Sequence, residues 1–347
     1  MSVEPYFPDR LDELEPSPFN ESQNGASPRR QAIDGATFAF REAAEVPAVW
    51  GKDERVLWAK GEGLLIVGPD GVGKTTTQQQ LLRARLGLAN ELLGLEVEPA
   101  DKPVLYVAAD RPRQAARSLR RMTSDEDRDV LAERLIVWEG PLPFDLTSDP
   151  RALADFALAH GVGSLFVDAL KDVALDLTKD EVGSRVNLAL QEVIAAGVEF
   201  CGLHHQRKEQ SAAGKPKRLA DVYGSRWLTA GMGSVVLLWG EPGDLVVELS
   251  HLKQPAEDVG PLKVVHDHVR GRSVIHGGLD LEQALATAAH GMTTKDGARA
   301  LFESEKPTPN QVEKARRRFE RLVERGHAER RDDPDGLARY FLRSQAS

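Results

Sequence analysis

The chain has 347 residues, 41% apolar and 29% charged, with a formal charge of −9 and one cysteine. The acidic balance excludes attraction to nucleic acid by bulk charge, so any such contact has to come from local basic patches. Cys201 alone cannot build a disulfide framework within the chain, which fits a reducing cytoplasm. No apolar run reaches the length of a membrane span, and the acidic start lacks the pattern of a secretory signal.

Residues 1–33 carry Pro5, Pro8, Pro16, Pro18 and Pro28 among Ser, Asn and Glu. They predict a mostly disordered arm, ending near residue 35. From residue 56, short apolar runs alternate with helical stretches. Strands are predicted at 63–67, 103–109, 135–138, 164–168 and 198–203, with helices at 74–86, 113–122, 150–160 and 186–196. Near-continuous apolar strands separated by helices predict an α/β domain over 36–275, built on a mainly parallel sheet covered on both faces. Beyond residue 230 the strands at 234–239, 244–249 and 262–266 follow one another with only turns between, which predicts an antiparallel extension. Residues 272–280 predict a linker. Residues 281–347 predict a small domain of three helices and a hairpin, the pattern of a winged helix-turn-helix.

The segment Gly68-Pro69-Asp70-Gly71-Val72-Gly73-Lys74-Thr75 fits G-x-x-x-x-G-K-[ST] and lies between a predicted strand and a predicted helix. Its glycines let backbone N–H groups face phosphate oxygens, and the helix N-terminus adds partial positive charge. Lys74 is placed to reach the β- and γ-phosphates of ATP, Thr75 to ligate Mg²⁺, and Thr76 follows on the same helix turn. Asp168, ending an apolar strand, is the candidate second ligand to the magnesium shell. Asp110, ending the strand at 103–109, is the candidate carboxylate for the attacking water, with a helix N-cap as the alternative. His204 and His205 end a further strand and invite a sensor role. A zinc reading of these histidines, or of His266 and His268, lacks further ligands at metal-site spacing.

The ordered series G-P-D-G-V-G-K-T, V-L-Y-V-A-A-D, L-F-V-D, L-H-H-Q-R-K, Y-G-S and H-L-K-Q resembles the RecA-fold ATPases, and most of all the RepA-type hexameric replicative helicases, over roughly residues 48–275. The resemblance implies a hexameric ring of subunits with ATP held between neighbours. It carries over Lys74, Thr75 and Asp168 directly, His205 or His204 as the sensor, and Lys253 as a cation acting in trans. Two departures stand out. Asp110 occupies a position usually held by Glu, and Tyr223 one usually held by Arg, for which Arg226 is the candidate substitute.

In such proteins the loop after the sensor strand faces DNA. Here it carries Arg207, Lys208, Lys215, Lys217 and Arg218 against one acid, which suits phosphate contacts. The stretch after Asp168 holds Asp172, Asp176, Asp180 and Glu181 and is not expected to grip phosphate. The C-terminal 67 residues carry net charge +2 against −11 for the rest. Arg317 and Arg321 on the long helix are DNA-contact candidates, with protein docking as the alternative. The leading expectation is a DNA-dependent ATPase acting on single-stranded DNA as a replicative helicase or its loader, working with a primase, polymerase or initiator. A recombination-type ATPase and a nucleotide-switched DNA-binding regulator are the alternatives.

Overall fold

The computed structural model describes residues 32–41, 46–206, 215–222, 224–267, 269–275, 281–288, 290–302, 304–332 and 337–343. The predicted arm at 1–33 lies outside them apart from its last two residues, as do Arg207, Lys208, Tyr223 and His268. Contacts divide the chain into residues 1–260 with 264–274 and residues 261–263 with 275–347. Among the described residues no helix is long and apolar enough to cross a membrane.

In chain order the first unit contains α1 (Gly35–Arg41), β1 (Ala48–Lys52), β2 (Arg55–Ala59), β3 (Leu64–Gly68), α2 (Lys74–Arg85), β4 (Glu91–Leu92), β5 (Leu95–Glu96), β6 (Val104–Ala108), α3 (Pro112–Met122), α4 (Arg128–Arg134) and β7 (Leu135–Glu139). It continues through α5 (Ala152–Ala159), β8 (Ser164–Asp168), α6 (Leu170–Val173), α7 (Asp180–Ala195), β9 (Glu199–His205), α8 (Trp227–Ala230), β10 (Ser234–Trp239), β11 (Val246–Lys253), β12 (Leu262–Asp267) and β13 (Arg272–Ile275).

Nine strands form one sheet in the order β13-β12-β11-β10-β3-β9-β8-β6-β7. The run from β10 to β7 is parallel, and β11 pairs antiparallel with β10. Every residue of β3, β6 and β8 is buried, which is why these strands read as unbroken apolar runs rather than alternating ones. Leu65, Val67, Leu105, Val107, Leu165 and Val167 share a core with Val186, Leu190 and Val193 of α7. Because the strands are parallel, the C-terminal ends of β3, β6, β8 and β9 arrive at one edge, where α/β sheets hold their ligands.

Three stretches differ from the sequence expectation. The helix predicted at 186–196 starts at Asp180, and the acidic stretch before it holds α6 rather than an open loop. Asp180 and Glu181 occupy the first turn of α7, where carboxylates favour the helix dipole. Gly183 masks that start in the sequence: a Cβ there would sit 2.4 Å from the Ser225 Cβ. The bare backbone lets Ser225 dock, its hydroxyl donating to Asp180 Oδ1 at 2.7 Å and its N–H to the Leu177 carbonyl at 2.8 Å. The first part of the predicted linker, 272–275, is β13. It was hidden by its brevity and charge, and it is fixed because the Ser273 N–H and hydroxyl both bond the Gln80 amide, at 2.9 and 2.8 Å. The hairpin of β1 and β2 was also missed. It buries Trp50 and Trp58, whose indole N–H groups donate to the carbonyls of Leu92 and Glu62 at 3.0 and 2.7 Å.

The second unit contains α9 (Leu281–Thr287), α10 (Thr294–Phe302), α11 (Pro309–Glu324), β14 (Ala328–Asp332) and β15 (Ala338–Leu342), the last two paired antiparallel. Thr308 and Gln311 form a capping box that starts α11, with Pro309 at its first position. Phe319 is fully buried, stacks on Tyr340 with centroids 4.4 Å apart, and packs against Gly297, where a Cβ would lie 2.3 Å from its ring. Ala315 shares this buried face of α11, while Val312, Leu322 and Val323 on the same helix are half-buried.

Candidate active site

The phosphate loop joins β3 to α2. Gly68 runs so close to β10 that a Cβ would lie 2.3 Å from the Leu238 carbonyl oxygen. Gly73 has φ +88°, and a Cβ there would lie 2.5 Å from the His266 ring. His266 is buried behind the loop. Its Nε2 lies 3.1 Å from the Val72 carbonyl and its Nδ1 2.8 Å from the Ser273 hydroxyl. A carbonyl only accepts, so Nε2 carries the proton and Nδ1 can accept from Ser273. Ser273 in turn accepts from the Gln80 amide. A chain of hydrogen bonds therefore runs from α2 through β13 and β12 to the loop backbone. Gly73→Ala is expected to cost about 2 kcal/mol or more, since it meets both a positive φ and a buried ring. Denaturant unfolding measures this, and an unchanged midpoint would show that the loop tolerates a side chain there.

Lys74 is 6% exposed and donates to the Gly68 and Pro69 carbonyls at 2.8 and 2.6 Å. Burial pulls its pKa down to about 8, against the opposing pull of Asp70 and Asp168. The Thr75 hydroxyl donates to Asp168 Oδ2 at 2.9 Å, and the Tyr106 hydroxyl reaches the same oxygen at 3.1 Å. Burial raises the Asp168 pKa, and these two hydrogen bonds oppose the rise. A hydroxyl and a carboxylate in contact at the start of α2 are the hard oxygen donors that suit Mg²⁺. Pro69 and Val72 are buried, Asp70 and Gly71 are exposed, and Thr76 is half-buried on the first turn of α2.

The backbone N–H groups of Ala109 and Asp110 donate to the Asp168 carbonyl at 2.8 and 3.0 Å, which brings the ends of β6 and β8 together. The Asp110 carboxylate lies between two cations, Arg111 Nε at 3.7 Å from Oδ1 and Lys171 Nζ at 3.5 Å from Oδ2. At the end of β9, His205 Nδ1 pairs with the Asp70 carboxylate, while His204 is buried within the strand. Burial lowers the His205 pKa, helped by Lys74 and Lys171 and opposed by Asp70. The loop, Lys74, Thr75, Asp168, Asp110 and His205 thus meet at one edge of the sheet. Among the described residues no three His, Cys, Asp or Glu side chains gather as a further metal site.

The remaining sequence candidates lie elsewhere. Lys253 donates to the Ala230 and Thr229 carbonyls at 2.8 and 3.3 Å, and β11 pairs it with Val235 near the start of β10, at the end of the sheet away from the loop. It borders a cavity of about 390 Å³ with Glu62, Gln191 and Met232. Arg226 is exposed at the start of α8. Lys215 is held by Glu248 and by Ser250 Oγ. Lys217 and Arg218 are exposed on a turn closed by Asp221, which accepts from both backbone N–H groups at 3.1 Å. On α11, Arg317 is 67% exposed with its Nε 3.2 Å from Glu313, and Arg321 is half-buried. Sequence reasoning missed Tyr106 and Lys171, and weighed His266 only as a metal ligand. Tyr106 had a visible signal, a polar atom inside an apolar strand two residues before its end.

A mainly parallel RecA-like sheet with a phosphate loop and its partner carboxylate at one edge defines a P-loop ATPase. The AAA domain family matches residues 13–211, more than half of the chain, and the chain belongs to that family. It is also similar to the KaiC-like protein PH0186 from the hyperthermophilic archaeon Pyrococcus horikoshii OT3, with 17% identity over 63% of this chain and 90% of that one at a TM-score of 0.44. A second similar structure is the ATPase domain of another protein, with 13% identity, coverage of 62% of this chain and 86% of that one, and a TM-score of 0.47. No curated protein matches.

Proposed function

We propose that this ATPase is DNA-dependent and works as a ring of subunits on single-stranded DNA, as a replicative helicase or helicase loader. The observation that carries the reading is Gln206. Its N–H donates to the Gly68 carbonyl at 2.9 Å, and its side-chain amide donates to the Asp221 carbonyl at 3.1 Å. One residue therefore links the phosphate loop to the turn that presents Lys217 and Arg218. A shift of the loop on binding or losing a terminal phosphate would be felt by a basic segment suited to a nucleic-acid backbone.

In the ATPase step, Lys74 and the loop N–H groups bind the triphosphate, and Thr75 and Asp168 would hold Mg²⁺. The ion neutralises charge on the phosphate oxygens when bound. Asp110 orients the attacking water and takes its proton. The water oxygen bonds to the γ-phosphorus, and the bond to the β–γ bridging oxygen breaks with its electron pair leaving on ADP. His205, facing Asp70 on the loop, is the sensor of that phosphate. Arg226 is favoured over Lys253 as the cation given to a neighbouring subunit, since Lys253 would first have to leave two carbonyls. The second unit is read as a winged helix-turn-helix that contacts DNA through Arg317 and Arg321 of α11.

The placing of Asp110 between Arg111 and Lys171 favours a second reading, a nucleotide-switched DNA-binding protein with little turnover. Steady-state ATP hydrolysis with and without single-stranded DNA separates the two. Severalfold stimulation by DNA is expected, reduced when Lys217 and Arg218 are both replaced by Ala. Equal rates with and without DNA would count against the motor and leave the switch.

A further inference from the structure

Asp110, the carboxylate read as orienting water, does not stand alone. Lys171 lies in α6, three residues after Asp168, and its ammonium sits 3.5 Å from Asp110 Oδ2. The same charge acts on Asp70 in the phosphate loop, on Lys74 at the start of α2 and on His205 at the end of β9. The charge of Lys171 is therefore felt at the phosphate loop, at the start of α2 and at the end of β9, while its contact is with Asp110. With 42% of its surface exposed, Lys171 is free to change partner.

The charge balance at this edge asks for a second cation. A triphosphate brings several negative charges to a site that already holds Asp70, Asp110 and Asp168. Lys74 and the Mg²⁺ that Thr75 and Asp168 would hold answer part of that charge, and Lys74 has to leave the Gly68 and Pro69 carbonyls to do so. Lys253 is engaged at the far end of β10. Arg111 flanks Asp110 on its other oxygen but is 74% exposed.

We propose that Lys171 is a cation supplied by this subunit to the terminal phosphate, exchanging Asp110 for the γ-phosphate when a nucleoside triphosphate binds. This rests on the ATPase reading above and adds a residue that it lacks. The exchange also has a consequence for the base. While paired, Asp110 Oδ2 is occupied by the Lys171 ammonium. Once Lys171 moves to phosphate, that oxygen is released toward the water at the moment the substrate is in place. ADP, without the terminal phosphate, has nothing to draw the ammonium away, so Lys171 discriminates between the two nucleotides.

The test compares Lys171→Met and Lys171→Arg in the full chain with the wild type, by calorimetric titration of Mg·ATP and Mg·ADP and by turnover. Lys171→Met is expected to keep the wild-type melting temperature and Mg·ADP affinity, to bind Mg·ATP about tenfold more weakly, and to turn over about a hundredfold more slowly. Lys171→Arg should restore most of the preference for ATP. Equal weakening of both nucleotides, or no change in either, overturns the assignment while leaving the ATPase reading intact. A wild type that binds neither nucleotide sinks both, and is told apart by that result alone.

Discussion

Lys74→Met is expected to melt no lower than the wild type and to lose the thermal shift that Mg·ATP gives. The lysine is 6% exposed, and burial holds its pKa at about 8 instead of the ordinary 10.5. A displacement of that size is equivalent to about 3 kcal/mol of strain on the charged form at neutral pH. Its two hydrogen bonds to Gly68 and Pro69 return roughly 1 kcal/mol each. An unbranched apolar side chain of similar length therefore gains about as much as it loses. What disappears is function: turnover should fall by about a hundredfold or more. Differential scanning fluorimetry with and without Mg·ATP reads both effects. A variant that still shifts with ATP would show that the loop binds phosphate without its lysine.

The same residue sets a pH dependence. The folded-state pKa is depressed, so between about 8 and 10.5 the unfolded chain binds more protons than the native one. The penalty is complete below pH 8 and is relieved as pH rises through that window. Nucleotide binding runs the other way, because phosphate favours the ammonium. Above pH 8, binding takes up a proton, and Mg·ATP affinity should fall by up to about tenfold per pH unit. The stability of Lys74→Met should lose this dependence over the same range, measured by denaturant unfolding from pH 7 to pH 10.

The sequence made the centre of this site legible because the motif fixes geometry by itself. Gly68 to Thr75 must follow a strand and open a helix, and Asp168 and Asp110 announce themselves as acids ending apolar runs. Contacts that join distant segments left no such signal. Lys171 matters only because α6 turns it back toward Asp110, 61 residues earlier, and nothing in the composition around it says so. His266 supports the loop backbone at Val72 across nearly 200 residues, and the sequence offered it only as a zinc candidate beside His268 without further ligands. The start of α7 was obscured by Gly183, a residue that reads as loop and is there to admit Ser225. Lys253 entered only through the family resemblance, and its attachment to the carbonyls of Thr229 and Ala230 in α8 left no mark in the sequence.

Asp168→Asn is expected to leave the fold intact and to abolish magnesium-dependent turnover. The asparagine has the same shape, and its carbonyl oxygen can still accept from the Thr75 and Tyr106 hydroxyls that converge on Oδ2 at 2.9 and 3.1 Å. The carboxylate is buried and its pKa is raised by that burial, so neutralising it relieves strain instead of creating it. Stability should therefore hold or rise. The ion is what suffers. Thr75 supplies a neutral oxygen, and without Asp168 no formal charge remains in the pair that would hold Mg²⁺. Turnover should drop by about a hundredfold or more at millimolar Mg²⁺, and raising the metal concentration should recover part of it. Nucleotide binding without metal should be unaffected or stronger, since a negative charge has left the edge of the site. Unchanged turnover at low Mg²⁺ would move the metal away from Asp168 and toward Asp110, the other strand-end acid within reach.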